Sequence, residues 1–375
     1  MERSPEVLED GYPYDVFPTG WFQIGWTDEL EAGGVRGLRY FGVELVLYRT
    51  EDGTPVLLDA HCPHMGAHLA FGGRVSGCDI VCPFHNWQWG PDGCNTLVPS
   101  DGGPTNRRRI RSWHVAETNG IVWAWHSQDG VDPLWEPLAE RRTERPFLPV
   151  FPGCIHKWEG VHARPQYMVE NVVDLDHFPS VHFNKSDSEI LEMRDGGHVL
   201  SIDMKTMYGY GKEKTWATPN GPTETVLTTD VYGIGTIFSD WGPGADSSYL
   251  ITNQTPIDND YLDMFMTVLV CQDAESTNTE LPEGRALRRV AQQRKETDRD
   301  MPIWNNLVYN ARPPYARREG KVMVDFKRWT TRFYNPDELK RALEGAADRP
   351  AQVPSPREPA NLASPLLDGA AATEP

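Results

Sequence analysis

The 375-residue sequence predicts an α+β chain of two folded domains, an all-β module followed by a domain of antiparallel sheet and flanking helices. Three observations predict it. From Gly20 to about His126 the chain reads as short strands separated by turn signals. From 127 to 152 it becomes proline-rich, as an extended crossing between domains would be. From 153 to 335 strand runs mix with two helical stretches. The expected boundaries are 1–130 for the first domain with its N-terminal segment, 131–152 for the connector, 153–345 for the second domain and 346–375 for a tail. The length is enough for two cores.

The strand signals of the first module are local. Leu45, Leu47 and Arg49 alternate with Val46, Tyr48 and Thr50, and Glu51-Asp52-Gly53 turns the chain before Val56-Leu57-Leu58. Glu117-Thr118-Asn119-Gly120 precedes Ile121 to His126, and Asn-Gly accepts the positive φ of a type I′ hairpin. Gly90 and Gly93, around Pro91-Asp92, predict a further tight turn.

Between these strands stand Cys62-Pro-His64 and, seventeen residues on, Cys82-Pro-Phe-His85, with Gly66, Gly72, Gly73 and Gly77 between them. Two soft thiolates and two imidazoles, one of each in each loop, suit an iron–sulfur centre whose two irons differ. The rival is a structural zinc site of two Cys and two His, although such sites usually pair Cys with Cys and His with His. The stretch resembles the signature of a Rieske [2Fe–2S] cluster, down to Cys82-Pro-Phe-His-Asn-Trp87. That resemblance implies that Cys62 and Cys82 hold one iron and His64 and His85 the other. Met65-Gly66-Ala67 follows His64 with no cysteine to staple the loops, so Cys78 and Cys94 are expected to be ordinary thiols.

In the second domain, Glu224 to Val231 and Tyr261 to Cys271 read as strands. Met264 and Met266, alternating with Phe265, are expected as sheet core or pocket wall. A helix is expected from about Glu283 to Asn310, with a kink at Pro302. A shorter one is expected after Asn335, which caps it, with Pro336 in its first turn and Gly345 at its end. The Pro- and Ala-rich tail beyond cannot bury a core and is expected to be disordered.

The reaction centre is expected in Glu170-Asn171-Val-Val-Asp174-Leu-Asp176-His177-Phe-Pro179-Ser-Val-His182. Glu170, Asp174 and His177 stand at i, i+4 and i+7, on one face if the stretch is one helix. Pro179 would end or bend that helix and let His177 and His182 reach one metal. Two histidines, a carboxylate and open positions make the facial triad of mononuclear iron(II) oxygenases. The downstream carboxylate is expected to be Asp300, which shares a helix face with Ile303, Trp304 and Leu307 and so points inward, with Asp298 as the alternative.

The stretch resembles the Asp-x-x-His-x-x-x-x-His motif of Rieske non-haem iron oxygenases, and Asp300-Met-Pro-Ile-Trp304 resembles their Asp-x-x-Ile-Trp segment. Gly20-Trp21-Phe-Gln, His64-Met-Gly66, Asn171 to His177, Arg328-Trp329 and Phe333-Tyr334 are most similar to the oxygenase components of 3-ketosteroid 9α-hydroxylases. The resemblance implies an all-β Rieske domain plus a helix-grip (START-like) catalytic domain. It implies that His177, His182 and Asp300 bind mononuclear Fe(II), and that Asp174 bridges this iron to the Rieske cluster of a neighbouring subunit. It further implies a homotrimer, a flavin-dependent reductase with or without a ferredoxin as electron donor, and an apolar ring substrate attacked with O2. Steroid-like monohydroxylation is the expected reaction, with oxidative O- or N-demethylation and aromatic-ring dihydroxylation as alternatives. A pure Rieske electron carrier and a zinc-stabilised binding protein are the more distant readings.

Composition bounds the rest. A content of 39% hydrophobic and 24% charged residues is that of a soluble globular protein. No run has the length of a membrane span and the start lacks a signal-peptide pattern, so the cytoplasm is the expected compartment. Six cysteines show no disulfide-framework spacing. A net charge of −18 argues against a general nucleic-acid or anionic-membrane binder. The local exception, Arg107, Arg108, Arg109 and Arg111, is either a solvated strand edge or a docking patch for an acidic electron carrier.

Overall fold

The computed structural model describes residues 16–143, 145–183, 188–208, 220–241, 248–273, 276–310 and 313–347. The expected disordered tail lies almost wholly outside the described residues. Eleven strands build the first module: β1 (Gly20–Trp26), β2 (Val35–Tyr40), β3 (Val43–Arg49), β4 (Pro55–Asp59), β5 (Arg74–Ser76), β6 (Asp79–Val81), β7 (Gln88–Trp89), β8 (Asn95–Leu97), β9 (Ser112–Trp113), β10 (Val115–Thr118) and β11 (Ile121–His126). They form three small sheets, ordered β1-β11-β10, β2-β3-β4-β9 and β5-β6-β7-β8. The β10–β11 turn has the expected form, with Asn119 and Gly120 at φ 55° and 71°. Its tip is clasped by the connector, because the Asn119 side-chain amide donates to the carbonyls of Leu138 and Ala139 and accepts from Arg141 N–H.

The second module is a seven-stranded antiparallel sheet of β12 (Ile155–Val161), β13 (Glu189–Asp195), β14 (Val199–Tyr208), β15 (Thr223–Tyr232), β16 (Thr236–Asp240), β17 (Tyr249–Pro256) and β18 (Leu262–Leu269). Its order is β12-β18-β17-β16-β15-β14-β13. Helices α1 (Pro165–Glu170), α2 (His177–Val181), α3 (Gly284–Trp304), α4 (Gly320–Thr331) and α5 (Pro336–Ala347) accompany it. Every residue of β18 is buried. Side chains alternate across a strand, and here Phe265 and Thr267 meet Trp26 of β1 while Met264 packs with Trp304 of α3. Met264 and Met266 are therefore sheet core.

A polar seam joins the modules inside this apolar interface. Asn253 Nδ2 donates to Gln23 Oε1 at 2.7 Å, Thr236 Oγ1 donates to Asn253 Oδ1 at 2.7 Å, and Thr255 Oγ1 donates to the Gln23 carbonyl. Beside it Asp263 accepts from Tyr40 Oη and pairs with Lys157, both at 2.8 Å. Every one of these groups is satisfied, as burial demands.

Three expected helix boundaries are corrected. Glu170 to His177 is not one helix, because α1 stops at Glu170 and α2 begins only at His177. Between them Asp174 Oδ1 accepts the N–H groups of Asp176 and His177, offering the backbone a local alternative to helix. The helix expected to reach Asn310 ends at Trp304, two residues after Pro302; Ile303, in its last turn, and Leu307, beyond it, are exposed instead of facing the core. The last helix runs past Gly345 to Ala347. Asn335 does cap it, its Oδ1 accepting the N–H groups of Asp337 and Glu338.

Candidate metal centres

The two cluster loops close in the same way. In the first, Cys62 N–H donates to Ala67 O and Gly66 N–H to Cys62 O, both at 2.9 Å. In the second, Cys82 N–H donates to Trp87 O at 2.8 Å and Asn86 N–H to Cys82 O at 3.0 Å. Each ring needs a left-handed residue four positions after its cysteine. Gly66 supplies it at φ 77° and Asn86 at φ 56°. The loops thus bring Cys62, Cys82, His64 and His85 to one end of the module. Both cysteines are buried, and the imidazoles of His64 and His85 lie with centroids 4.6 Å apart. Trp87 stacks on His64 at 4.2 Å.

The donor set fits a cluster with unlike irons. Burial pushes the Cys62 thiol up to about 11, opposed by the His64 backbone N–H and reinforced by neighbouring Cys82. Two facing sulfurs so enclosed gain most from a metal, which takes the thiolate outright. His85 Nδ1 is buried with no hydrogen-bond partner, as expected of a nitrogen reserved for coordination.

In the second module His177 opens α2 and His182 is its C-cap, at φ −95° and ψ 3°. It is this exit from the helix, and not a bend at Pro179, that turns His182 back to His177. Pro179 sits in the first turn, where no helical N–H is required of it. The two rings stand at 78° with centroids 5.1 Å apart. From α3 the buried carboxylate of Asp300 reaches them, Oδ1 lying 3.5 Å from His182 Nε2. One ligand atom from each of His177, His182 and Asp300 falls within 4.8 Å of the others.

His177 and Asp300 show how this pocket would receive a metal. His177 Nδ1 donates to the Asp174 carbonyl, so its proton is there and its Nε2 carries the lone pair, with the Asn171 amide 3.2 Å away. Burial, helped by His182, lowers the His177 pKa to about 4 and keeps the ring neutral. Burial raises Asp300 to about 6 against the pull of His182, the mark of a carboxylate short of cations. A divalent ion would satisfy all three.

Other candidates fall elsewhere. Asp298 is half exposed and accepts the Trp158 indole N–H at 2.9 Å, away from the histidines. Glu170 accepts from Gln166 at 2.7 Å and pairs with Lys327, so it belongs to the α1–α4 contact. Two neighbours were not anticipated from the sequence. Asn171 lies beside His177 Nε2, and Glu296 faces His182 Nδ1 at 3.3 Å. Glu296 stands four residues before Asp300, a helical spacing that could have flagged it.

A two-loop Cys–His centre on a small β module, joined to a second module whose helices bring together two histidines and a carboxylate, defines a Rieske non-haem iron oxygenase. Residues 20–112 match the Rieske [2Fe-2S] domain, and residues 124–334 match the 3-ketosteroid 9alpha-hydroxylase C-terminal domain. The chain belongs to this 3-ketosteroid 9α-hydroxylase-type family of Rieske oxygenases. It is an oxidoreductase whose cofactors are a Rieske [2Fe–2S] cluster and mononuclear iron. Among its relatives, cholesterol 7-desaturase nvd of Bombyx mori is 32% identical over 347 residues, which cover 88% of this chain and 73% of that protein. A 3-ketosteroid-9-alpha-monooxygenase oxygenase component of Rhodococcus rhodochrous is 29% identical over 327 residues, 85% of this chain and 84% of that one. Dicamba monooxygenase bound to 3,6-dichlorosalicylic acid shares the fold at a TM-score of 0.67 and 19% identity, covering 86% of this chain and 99% of that one. NdmB of Pseudomonas putida CBB5 does so at 0.64 and 19%, covering 91% and 97%. Among the described residues no helix is long and apolar enough to cross a membrane.

Proposed function

We propose that this chain is the terminal oxygenase component of a multicomponent system that oxidises an apolar ring substrate of the sterol or steroid class. The roles assigned are iron binding by His177, His182 and Asp300, and cluster binding by Cys62, His64, Cys82 and His85. The observation that carries the reading is the convergence of the two histidines and Asp300 next to an apolar cluster. That cluster is Leu175, Met204 and Leu227, with Phe178, Ile190 and Trp241 against it. Leu175 and Phe178 flank His177 in the chain, so a substrate at the metal would meet hydrocarbon. When bound, the iron supplies O2 activation with electrons delivered through the cluster. The chain's own part is to keep the His177 proton on Nδ1 through the Asp174 carbonyl, to leave an open face toward the apolar side chains, and to exclude water there.

The named activities of the Bombyx and Rhodococcus relatives support a sterol or steroid nucleus. They differ in outcome, one being a desaturase and the other a monooxygenase. Desaturation is therefore the second reading, ahead of demethylation and ring dihydroxylation.

For electron supply we infer a flavin-dependent reductase, with or without a ferredoxin. Arg107 and Arg108 are exposed and make no ion pair among the described residues, which suits an acidic donor. For assembly we infer a homotrimer in which the cluster of one subunit serves the iron of the next across Asp174, in the cytoplasm. Exposed His64 is accompanied by exposed Met65, Phe71 and Phe84, an apolar rim of the kind that meets another protein surface.

The test is turnover of the purified chain with a surrogate reductase, NADH and a panel of sterols, 3-ketosteroids and aromatic ethers. Gain of one oxygen by a sterol or steroid supports hydroxylation, and loss of two hydrogens supports desaturation. Turnover confined to the ethers would overturn the substrate class. An iron content no higher than the cluster requires would overturn the oxygenase site and favour an electron carrier.

A further inference from the structure

We propose that Glu296 is a positioning residue for the iron. It accepts the N–H of the His182 ring nitrogen that the metal does not use, and so fixes which nitrogen is free to bind. The inference rests on the reading of His177, His182 and Asp300 as the iron site.

The geometry separates the two edges of the His182 ring. Nε2 is the atom that faces Asp300, at 3.5 Å, and Nδ1 faces Glu296 Oε2, at 3.3 Å. A neutral imidazole carries its proton on one nitrogen and its lone pair on the other. If Nε2 is to coordinate, Nδ1 must carry the proton and find an acceptor.

The pocket leaves that role open and offers a group for it. His182 Nδ1 and Glu296 Oε1 are both buried and both lack a hydrogen-bond partner among the described residues. The other carboxylate oxygen, Oε2, accepts from Arg299 Nη1 at 2.5 Å. Arg299 lies in turn over the Phe183 ring at 5.0 Å. The arginine thus orients the carboxylate, and Oε1 remains available after a small rotation of the ring. A carboxylate behind a ligating imidazole fixes its tautomer and strengthens it as a donor.

The helix explains how one element does both jobs. Glu296 and Asp300 are four residues apart on α3 and lie one above the other on one face. Asp300 addresses the metal side of the His182 ring and Glu296 its back. His177 has a counterpart in the Asp174 carbonyl, so each imidazole has its own acceptor for the proton that must not face the metal.

The competing account is that Glu296 serves only to pair with Arg299. Anaerobic competition for Fe(II) between the full-length protein and a chromophoric chelator separates the two, with the Rieske visible spectrum as the check on folding. Glu296→Ala should weaken Fe(II) binding by about 10- to 100-fold. Glu296→Gln, whose amide oxygen still accepts the N–H, should recover part of that loss. Arg299→Gln should stay nearer the wild type. The electron paramagnetic resonance signal of the Fe(II) site with nitric oxide as probe should change symmetry in Glu296→Gln.

Wild-type Fe(II) affinity and an unchanged signal in both Glu296 variants would overturn the proposal. So would Arg299→Gln losing iron as strongly as Glu296→Ala, which would make the ion pair the whole role. If the wild-type chain binds no iron beyond its cluster, or Asp300→Ala keeps it, the site reading falls and this inference with it.

Discussion

Asp298 Oδ1 accepts the indole N–H of Trp158 at 2.9 Å, which holds this carboxylate on the side of α3 away from the histidines that Asp300 faces. Successive positions on a helix diverge by about 100°, so two residues of separation carry a side chain to the far face. The consequence is a sharp contrast between neighbours. Asp300→Ala should lose the mononuclear iron and oxygenation while the Rieske spectrum persists, and Asp298→Ala should retain both. Iron analysis beside the visible spectrum reads this directly; iron lost in Asp298→Ala would exchange the assignment.

Asp174 combines two jobs that substitution can separate. Its side chain takes two N–H groups at the start of α2, and its carbonyl holds the His177 ring. Asp174→Asn keeps an oxygen for the turn and the backbone carbonyl, but removes the charge that the proposed link between two imidazoles across subunits requires. It should keep both metals and lose turnover by about 10- to 100-fold or more. Asp174→Ala should also weaken iron retention. Normal turnover in the Asn variant would remove the bridging role.

Arg107 and Arg108 stand free of ion pairs among the described residues, in a chain of net charge −18. Neighbouring Arg109 leans on Asp92, and Arg111 lies over Trp113 at 4.1 Å. Replacing Arg107 and Arg108 together by Gln should slow electron delivery by about tenfold or more at low ionic strength and flatten its salt dependence. Stopped-flow reduction of the cluster by the reductase at two salt concentrations measures both. Unchanged rates would leave the patch as a solvated edge.

Acid should weaken the fold through buried histidines. Burial lowers His198 and His126 from 6.5 to about 4. Between those values the unfolded chain binds protons that the folded chain does not, so stability falls as pH drops through that window. His198 stacks on Trp135 of the connector at 5.2 Å. His198→Phe should keep the stack and make the melting temperature less steep in pH between about 6.5 and 4. Parallel curves for variant and wild type would contradict this.

Legibility in the sequence followed range. Cys62, His64, Cys82 and His85 sit in two short loops whose closure depends on residues four and five positions away, so the motif carries nearly all of their geometry. For Asp300 the helical period was only half a guide, since Trp304 of the expected face is buried with it while Ile303 and Leu307 are exposed, and the Asp-x-x-Ile-Trp resemblance supplied the rest. The path from Glu170 to His177 was misread because the 3.6-residue pattern is real, yet the Asp174 side chain outcompetes the helix it would continue. Glu296 was missed for a different reason, although its spacing from Asp300 puts both on one helix face. Its meaning depends on α2 approaching α3 across more than a hundred residues of chain, a contact that no local spacing encodes.

The Gln23–Asn253–Thr236 seam turns electron arrival into a matter of encounter. Modules joined by sparse polar contact swing, but a seam of satisfied amides inside an apolar interface opens only if several buried groups lose their partners at once. The direction in which His64 faces is therefore a constant of the chain. Traffic through this inlet should slow in proportion to solvent viscosity and rise with donor concentration, as a collision does, with no plateau set by an internal swing.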